Sequence, residues 1–468
     1  MRSLDARVVV VGSGPGGAAT ACLLAEAGRD VLLLEEGDAW PPGSAPAYSL
    51  REMDQKWRNG GLTLSFGPVK VTYVEGRCLG GASEVNAGLY HPPVPEYFDT
   101  HARASGIESF DAASMAPHIE WVEREVGVAP FPGSAGRASE RLAAGAASLG
   151  WKSVQVQRFW RYDDASGPAG RRRSMTETLI PRARAAGARV ETGIRVRRID
   201  TRGGRVVGVR GVDRDGAPVL VRCEHVFVCA GAVQTALVLR RSGFRAGVGD
   251  TLTMNPMIRL AAEFADRINE PDLGVPVQQI EAFKPQMTLG CSHGSVAHLA
   301  LWLVGPPEQR DRILAEWWRY GVFYAKVMAK ARGKVRNVPF TDEAFVQYAL
   351  TRDDLSLLGL AAERLATVLF ASGALSLVSP VAGDAPIRGV EDIPRLRAGV
   401  EAGRAQLSAI HLHSTVPLGG PVDAWGKLRA TEGVWVNDSS LLPDTPGVNP
   451  QGTILAIAHR NAARYLGA

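Results

Sequence analysis

A glycine-rich loop between two apolar runs constrains this chain of 468 residues more than any other feature. Four consecutive valines, 8–11, predict a strand that is buried on both faces, and the loop after them reads Gly-Ser-Gly-Pro-Gly-Gly. A helix-forming stretch, 18–27, follows and is closed by Gly28, and residues 31–34 then predict a second buried strand that ends at Glu35. This order of elements predicts a unit that binds a dinucleotide.

Each glycine of the loop has a predicted role. Gly12 permits the tight turn, Gly14 lets a pyrophosphate approach the backbone, and Gly17 lets the helix pack close to the strand. The N-terminus of the helix presents free N–H groups and the positive end of its dipole to the phosphates. We expect Glu35 to accept hydrogen bonds from the adenosine ribose.

Composition excludes several classes of protein. A hydrophobic fraction of 46% excludes a disordered chain, and no apolar run is long enough to span a bilayer. Of the 53 basic residues 45 are Arg, and the densest run, 171–173, is too short to indicate a nucleic-acid site, so we interpret it as a solvated loop. The five cysteines are scattered without a CxxC pair, and no metal site is predicted. Together with the absence of a signal-peptide pattern, the cysteines predict a reducing, cytoplasmic location.

A second glycine-rich block lies at 76–86 and reads GRCLGGASEVN. By itself it fits either a surface turn or a backbone that contacts a flat or phosphorylated ligand. Together with the first loop it resembles the "GRxLGGxSxxN" signature of the glucose–methanol–choline (GMC) oxidoreductase family. The resemblance implies FAD, with Gly80, Gly81 and Asn86 near the flavin. Some members tether FAD through a His in this block, but no His occurs here before His91, so the resemblance favours non-covalent FAD.

Two further stretches extend the resemblance. Residues 226–232, followed by Gln-Thr and Ser-Gly, are similar to the second signature of the family, a strand and a Gly turn that return to the cofactor. Residues 188–212 alternate as in a hairpin interrupted by two glycines, and the resemblance places Val196 near the adenine. It also places Asp438 near the ribityl chain or the phosphates. The residues predicted to contact FAD are Gly12, Gly14, Pro15, Gly17, Glu35, Glu36, Arg77, Gly80, Gly81, Ser83, Asn86, Ala87, Val196, Ala230, Gly231, Asp438, Asn449, Pro450 and Thr453.

The catalytic pair is predicted in the C-terminal region. In the family a catalytic His precedes a Gly-Thr pair by three residues, and this spacing selects His411 rather than its rival His413. The partner position falls on Asn449. Removing a hydride and a proton from an alcohol needs a positioned base, and the ordinary pKa of histidine, about 6.5, suits that task. Asn449 orients the hydroxyl, and Pro450 fits the first turn of a helix that faces the flavin.

The predicted fold class is α/β, with a Rossmann-like FAD-binding domain of GMC type and a second, α+β substrate domain built on an antiparallel sheet. The FAD domain covers 1–252 with substrate-domain segments at about 90–185, the substrate domain covers 253–405, and 406–468 returns to the FAD domain. Residues 313–334 are interpreted as a basic, aromatic helix that forms a lid or core rather than a membrane contact, and 348–374 as another helix.

The leading hypothesis is an FAD-dependent oxidase or dehydrogenase that converts an alcohol into a carbonyl compound by hydride transfer to flavin N5, with His411 as base. The substrate is a small or medium metabolite, with a sugar-like or glycosidic compound favoured. The alternatives are an oxidase or dehydrogenase of long-chain or sterol-like alcohols, a flavoprotein lyase of the hydroxynitrile-lyase type, and a flavin-binding scaffold without turnover. The electron acceptor, oxygen or another partner, and the oligomeric state stay open.

Overall fold

The computed structural model describes residues 2–133, 136–163, 170–269, 275–302 and 307–467. Its strands, numbered along the chain, are β1 (Arg2–Asp5), β2 (Val8–Val11), β3 (Val31–Glu35), β4 (Thr63–Leu64), β5 (Val71–Tyr73), β6 (Leu89–Tyr90), β7 (Ser153–Gln155), β8 (Gln157–Arg158), β9 (Trp160–Arg161), β10 (Arg171–Arg172), β11 (Arg189–Thr192), β12 (Arg195–Arg202), β13 (Arg205–Val212), β14 (Pro218–Arg222), β15 (His225–Val228), β16 (Thr253–Glu263), β17 (Gln278–Ile280), β18 (Met287–Ser292), β19 (Tyr320–Val327), β20 (Lys334–Asn337), β21 (Ala344–Gln347), β22 (Ser376–Val378), β23 (Leu407–His413) and β24 (Val434–Val436).

The helices, numbered in the same way, are α1 (Pro15–Glu26), α2 (Leu50–Lys56), α3 (Ala82–Val85), α4 (Pro95–Ser105), α5 (Ala112–Val122), α6 (Arg137–Ser148), α7 (Leu179–Ala185), α8 (Gly231–Arg241), α9 (Val296–Trp302), α10 (Pro307–Ala315), α11 (Arg352–Ala371), α12 (Ile393–Glu401) and α13 (Gln451–Leu466). Within the described residues no helix combines the length and the apolar character that crossing a membrane requires.

A five-stranded parallel sheet carries the first glycine loop. Its strand order is β11–β3–β2–β15–β24, and every pairing is parallel. All residues of β2 and β3 are buried, which explains why both segments read as unbroken apolar runs rather than as alternating ones. The α1 helix connects them, and Gly28 follows it with φ +72°, as expected of the residue that ends a helix. The strand–loop–helix–strand prediction is confirmed, and with it the α/β, Rossmann-like fold class.

The largest sheet is predominantly antiparallel. Eight strands run in the order β4–β5–β23–β16–β19–β18–β17–β7, and β22 pairs with β16 as the ninth. They come from parts of the chain as distant as β4 and β23. The parallel pairing of β5 with β23 joins an N-terminal and a C-terminal segment in this sheet. The domain boundaries at 252, 253, 405 and 406 stay a prediction.

The helix predicted for 313–334 is wrong. Helix α10 ends at Ala315, and β19 follows as a central strand between β16 and β18. Seven of its eight residues are buried, so the strand shows no alternation of apolar and polar residues, and its mixture of aromatic and basic residues resembles an amphipathic helix. The neighbouring prediction is confirmed, because α11 occupies 352–371 and begins with a capping box of Thr351 and Asp354.

Asn437 connects the end of β24 to two helices. Its side chain is fully buried, and Nδ2 donates hydrogen bonds to Thr20 Oγ1 on α1 at 2.8 Å and to the carbonyl oxygen of Ala458 on α13 at 3.1 Å. Asn461 Nδ2 donates to Asn437 Oδ1 at 3.0 Å. One amide therefore satisfies three buried polar groups where the first and last helices of the chain pack together.

Replacing Asn437 by Ala is expected to lower the free energy of unfolding by about 2–3 kcal/mol, because it leaves buried donors and acceptors without partners. Urea denaturation of the purified protein, followed by circular dichroism, measures the change. Asn337→Ala is the control, because this substitution removes one hydrogen bond of 3.3 Å to Leu237 O from a half-buried side chain. Equal losses in both variants would contradict the role of Asn437.

Candidate functional site

The glycine loop after β2 forms one end of a cavity that is lined by residues of both large sheets. Gly12 has φ +97°, and a Cβ there would overlap the carbonyl oxygen of Cys229. A Cβ on Gly17 would overlap the carbonyl oxygen of Gly12, which brings α1 against the loop. Gly14 lines the cavity and has open space where a side chain would project. Gly12 therefore sets the turn, Gly17 sets the packing of the helix, and Gly14 exposes backbone to the cavity.

The second glycine loop packs directly on the first. The N–H of Gly80 donates to Ser13 Oγ at 2.9 Å, and a Cβ on Gly81 would lie 2.8 Å from Gly14 Cα. Gly80 and Gly81 have φ values of +91° and +54°, in the left-handed region that glycine adopts without strain. Two stretches that lie more than sixty residues apart in sequence thus form one continuous backbone surface.

Glu35 lies at the end of β3 and lines the cavity. One carboxylate oxygen accepts hydrogen bonds from Ser13 N at 3.0 Å and Ser13 Oγ at 2.6 Å, and the other accepts from Gly37 N at 2.8 Å. Burial raises the pKa of this carboxyl in spite of those bonds. Glu35 therefore supports the first glycine loop as well as facing the cavity.

Glu36 is held by three arginines. Ion pairs of 2.8, 2.8 and 2.7 Å join it to Arg58, Arg77 and Arg195. Burial by itself would raise the pKa of Glu36, but the arginines outweigh it and lower the pKa to about 2. Its negative charge is thus balanced within the protein.

Asp438 pins the loop that leads from β15 into α8. One carboxylate oxygen accepts from Gly231 N at 2.8 Å and Thr235 Oγ1 at 2.5 Å, and the other accepts from Ser440 N at 2.8 Å. Burial raises the pKa of this carboxyl against those hydrogen bonds. Ala230, Gly231 and Asp438 all line the cavity.

His411 and Asn449 both line the far end of the same cavity. Burial lowers the pKa of His411 well below its ordinary value, and the positive charge of Lys326 lowers it further, so the ring is neutral at neutral pH. His413 is fully buried, is absent from the cavity wall, and has a pKa lowered to about 3 by burial and by Lys326. Among the described residues no hydrogen-bond partner reaches Nδ1 of either ring.

The start of α13 forms the wall beside Asn449. Pro450 is the residue immediately before the helix, one position earlier than the predicted first turn. Asn86 Nδ2 donates to Gln451 Oε1 at 2.6 Å and so ties the second glycine block to this helix. Thr453 Oγ1 is buried, and within the described part of the chain nothing hydrogen-bonds to it. The open backbone at Gly14 at one end and the start of a helix at the other fit an extended dinucleotide such as FAD.

Most of the residues predicted to contact FAD share this cavity. The ones on its wall are Gly12, Gly14, Pro15, Glu35, Glu36, Gly81, Asn86, Ala87, Val196, Ala230, Gly231, Asp438, Asn449 and Pro450. The other five are absent from the wall and make contacts elsewhere. Gly17 and Gly80 form loop contacts, Arg77 pairs with Glu36, Thr453 is buried within α13, and Ser83 Oγ donates to Gly80 O and accepts from Met175 N.

The sequence interpretation missed the polar side chains that the nine-stranded sheet and its neighbours contribute to the cavity. Arg259 and Lys326 line its far end, and so do His293 and His298, which belong to no sequence motif. Tyr48 stacks on His293 with ring centroids 3.7 Å apart. One arginine within an apolar run was the available signal for Arg259, whereas the predicted helix concealed Lys326.

Comparison with known protein families agrees with this geometry. Models of the N-terminal and C-terminal parts of the GMC oxidoreductases match residues 53–257 and 331–458. A model described as an NAD(P)-binding Rossmann-like domain matches residues 10–67, the region of the first glycine loop.

Individual proteins are similar along nearly the whole chain. An uncharacterized GMC-type oxidoreductase of Sinorhizobium fredii is 33% identical over 99% of this chain and 95% of its own length. A long-chain-alcohol oxidase of Arabidopsis thaliana is 24% identical over 96% of this chain and 66% of its own length. Pyridoxine 4-oxidase from Mesorbium loti superposes with a TM-score of 0.78 at 19% identity over 99% of both chains. An FAD-dependent oxidoreductase from Chaetomium thermophilum gives 0.71 at 16% identity over 98% of both chains.

The two family models together cover most of the chain, and the Sinorhizobium relative matches it from end to end. Membership implies FAD as the cofactor, in keeping with the open glycine loops at one end of the cavity. The chain therefore belongs to the GMC oxidoreductase family and is an oxidoreductase.

Proposed function

We propose that this protein binds FAD non-covalently and oxidises an alcohol to a carbonyl compound, with His411 as the base and Asn449 as the residue that orients the hydroxyl. The observation that carries the proposal is that these two side chains line the same cavity as the two glycine loops and that both lie near Lys326. The pyridoxine oxidase and the long-chain-alcohol oxidase with which the chain shares similarity support oxidation of an alcohol.

The chain would hold FAD through backbone at Gly12, Gly14 and Gly81, through Glu35, and through the start of α13. When bound, FAD supplies the two-electron acceptor for the hydride that leaves the carbinol carbon. The second glycine-rich block, 76–86, contains no histidine, and Cys78 Sγ is buried 3.8 Å from Gly81 O. Both features support non-covalent binding.

His411 would accept the hydroxyl proton. Its depressed pKa keeps the ring neutral, so a lone pair is available for that proton at neutral pH. Asn449 has an amide that can donate to the hydroxyl oxygen without competing for its proton, and the turn before α13 fixes its position. Together they direct the proton toward the imidazole.

Further parts of the proposal concern the setting of this reaction. The chain divides into an FAD domain of 1–252, a substrate domain of 253–405 and a return segment of 406–468. All five cysteines are buried free thiols, which supports a reducing, cytoplasmic location. The substrate is a small or medium metabolite that carries an alcohol, of which sugar-like and glycosidic compounds are one class, and oxygen is the first acceptor to test.

His411→Ala is expected to slow reduction of the flavin by about 100- to 10,000-fold, because the proton then has no positioned acceptor. Anaerobic mixing of the yellow holoenzyme with a panel of alcohols, followed by bleaching of the flavin absorbance, measures the rate. Admission of air afterwards shows whether oxygen is the acceptor.

His413→Ala is the matched control, since His413 lies two residues along the same strand but is absent from the cavity wall. FAD content is measured in both variants. Near-native reduction by His411→Ala together with loss in His413→Ala would assign the base to His413. Release of cyanide from a cyanohydrin without bleaching would indicate a lyase.

Glu35→Gln is expected to weaken FAD retention roughly tenfold or more, because a charged acceptor of hydrogen bonds becomes a neutral one. The FAD-to-protein ratio after exhaustive dialysis, and a titration of apoprotein with FAD, give the result. Glu224→Gln is the control, as Glu224 forms an exposed ion pair with Arg7. Unchanged retention in Glu35→Gln would contradict the ribose assignment.

The pH dependence of flavin reduction should reveal the environment of His411. A base acts when it is unprotonated, so a pKa held well below 6.5 by burial and by Lys326 keeps the rate level as the pH falls through 6.5. The rate then declines only at lower pH. Stopped-flow reduction at a saturating concentration of a neutral alcohol across this range provides the profile, and an acid limb centred near 6.5 would be inconsistent with the buried, neutral imidazole.

A further inference from the structure

Two cationic side chains share one face of the nine-stranded sheet at the far end of the cavity. In the pairing of β16 with β19, Met257 lies opposite Lys326 and Arg259 lies opposite Tyr324. Residues two apart on a strand point to the same face, and all four of these residues line the cavity. Arg259 and Lys326 are thus diagonal neighbours, about 7–8 Å apart at the backbone.

Lys326 is almost completely removed from water, with 4% of its surface exposed. Burial lowers the pKa of its ammonium group to about 7, and the positive charge of Lys284 contributes. Burial also lowers the pKa of Arg259 to about 10. A buried cation is unfavourable unless an anion or a set of acceptors replaces its hydration.

The contact that the structure gives Lys326 is with the candidate catalytic group. Its Nζ donates to Asn449 Oδ1 at 3.4 Å. Within the described residues no carboxylate comes within ion-pair distance of this Nζ. The titratable groups coupled to it are His91, His411, His413 and Lys284, and Lys284 is itself paired with Glu281.

The carboxylates that line the cavity are engaged elsewhere. They are bound at the dinucleotide end to arginines, to hydroxyl groups or to backbone N–H groups, and they are Glu35, Glu36, Glu75, Asp342 and Asp438. The protein therefore provides positive charge, without a matching negative charge beside Lys326, at the place where the substrate would lie.

We propose that Lys326 and Arg259 bind a carboxylate of the substrate, so that the alcohol oxidised by this protein is a hydroxy acid and the product is the corresponding oxo acid. This inference rests on the proposed alcohol oxidation. The bond balance is unchanged by the carboxylate: the carbinol loses its hydroxyl proton to His411 and its hydride to FAD. Because Lys326 contacts Asn449, the carboxylate lies within a few bonds of the carbinol carbon.

A carboxylate suits this pair better than a phosphate does. One planar carboxylate can accept from a guanidinium and an ammonium at once, and the guanidinium of Arg259 is already oriented by donating to Ser408 Oγ. Beside the two cations, Met257, Val275 and Leu412 give the cavity wall apolar side chains.

The first arm of the test needs no variant and no turnover. The oxidised holoenzyme is titrated with benzoate, acetate and oxalate, and with benzamide and inorganic phosphate, while the flavin absorption spectrum is recorded. Carboxylates are expected to perturb the spectrum saturably and at least tenfold more tightly than benzamide or phosphate. Tighter binding of phosphate, or equal binding of benzoate and benzamide, would overturn the proposal.

The second arm uses variants. Lys326→Met, Lys326→Gln and Arg259→Met are each expected to raise the Kd for benzoate at least tenfold, while Lys330→Met leaves it unchanged because Lys330 is exposed with 82% of its side chain in solvent. FAD content and the midpoint temperature of thermal unfolding are measured in parallel. Lys326→Met is expected to retain FAD and raise the midpoint, since an uncompensated buried charge is removed. A lowered midpoint with unchanged Kd would show a structural role.

The third arm compares hydroxy acids with their amides as reductants, for example mandelate with mandelamide and 4-(hydroxymethyl)benzoate with 4-(hydroxymethyl)benzamide. The acid is expected to reduce the flavin with a lower KM, and Lys326→Met is expected to abolish that preference. An equal loss of rate for acid and amide in this variant would mean that Lys326 acts on the reacting hydroxyl. A changed flavin midpoint potential with unchanged benzoate binding would make it the counter-ion of the reduced cofactor.

The two proposals can fail separately. Binding of carboxylates without bleaching by any alcohol would leave the anion site in place and remove the proposed oxidation. Bleaching by neutral alcohols without any binding of carboxylates would support the proposed oxidation and remove the anion site.

Discussion

The contact between the two glycine loops is the constraint on which the rest of the site depends. Gly81 lies against Gly14 so closely that a side chain at position 81 would separate the two loops, whereas a side chain at position 14 would project into open space. The contact also includes hydrogen bonds, because the N–H of Gly80 donates to Ser13 Oγ and that hydroxyl donates to Glu35. The second loop thereby fixes the first loop and the carboxylate at the end of β3 together, and the exposed backbone at Gly14 is a consequence of both.

In the C-terminal region, neighbouring residues both stabilise the fold and position the site. Asn437 satisfies buried groups of α1 and α13, and the adjacent Asp438 holds the loop before α8 through Gly231 and Thr235. The same segment of chain continues to Asn449, the candidate residue that orients the hydroxyl. A single stretch of backbone therefore sets both the packing of the first and last helices and the position of the candidate catalytic amide, so the site cannot shift without disturbing the core.

Local features could be predicted from the sequence, and long-range pairings could not. The valine run, the glycines and the cap at Gly28 act within a few residues of one another, and the hairpin of 195–212 is marked by its two glycines. By contrast, β19 is buried on both faces and lacks the period that identifies a strand. The diagonal placement of Arg259 and Lys326 exists only through the register of β16 on β19, which no local pattern encodes.

That register connects the anion site to the base. The charge of Lys326 is one of the causes that depress the pKa of His411, after burial itself. A carboxylate bound to Lys326 would offset that charge and raise the pKa of the imidazole toward its ordinary value. Because a base accepts a proton more readily as its pKa rises toward that of the donor, a hydroxy acid would strengthen His411 on binding, whereas a neutral alcohol of the same shape would leave it weak. Selection of an anionic substrate would then be expressed in the proton-transfer step as well as in affinity.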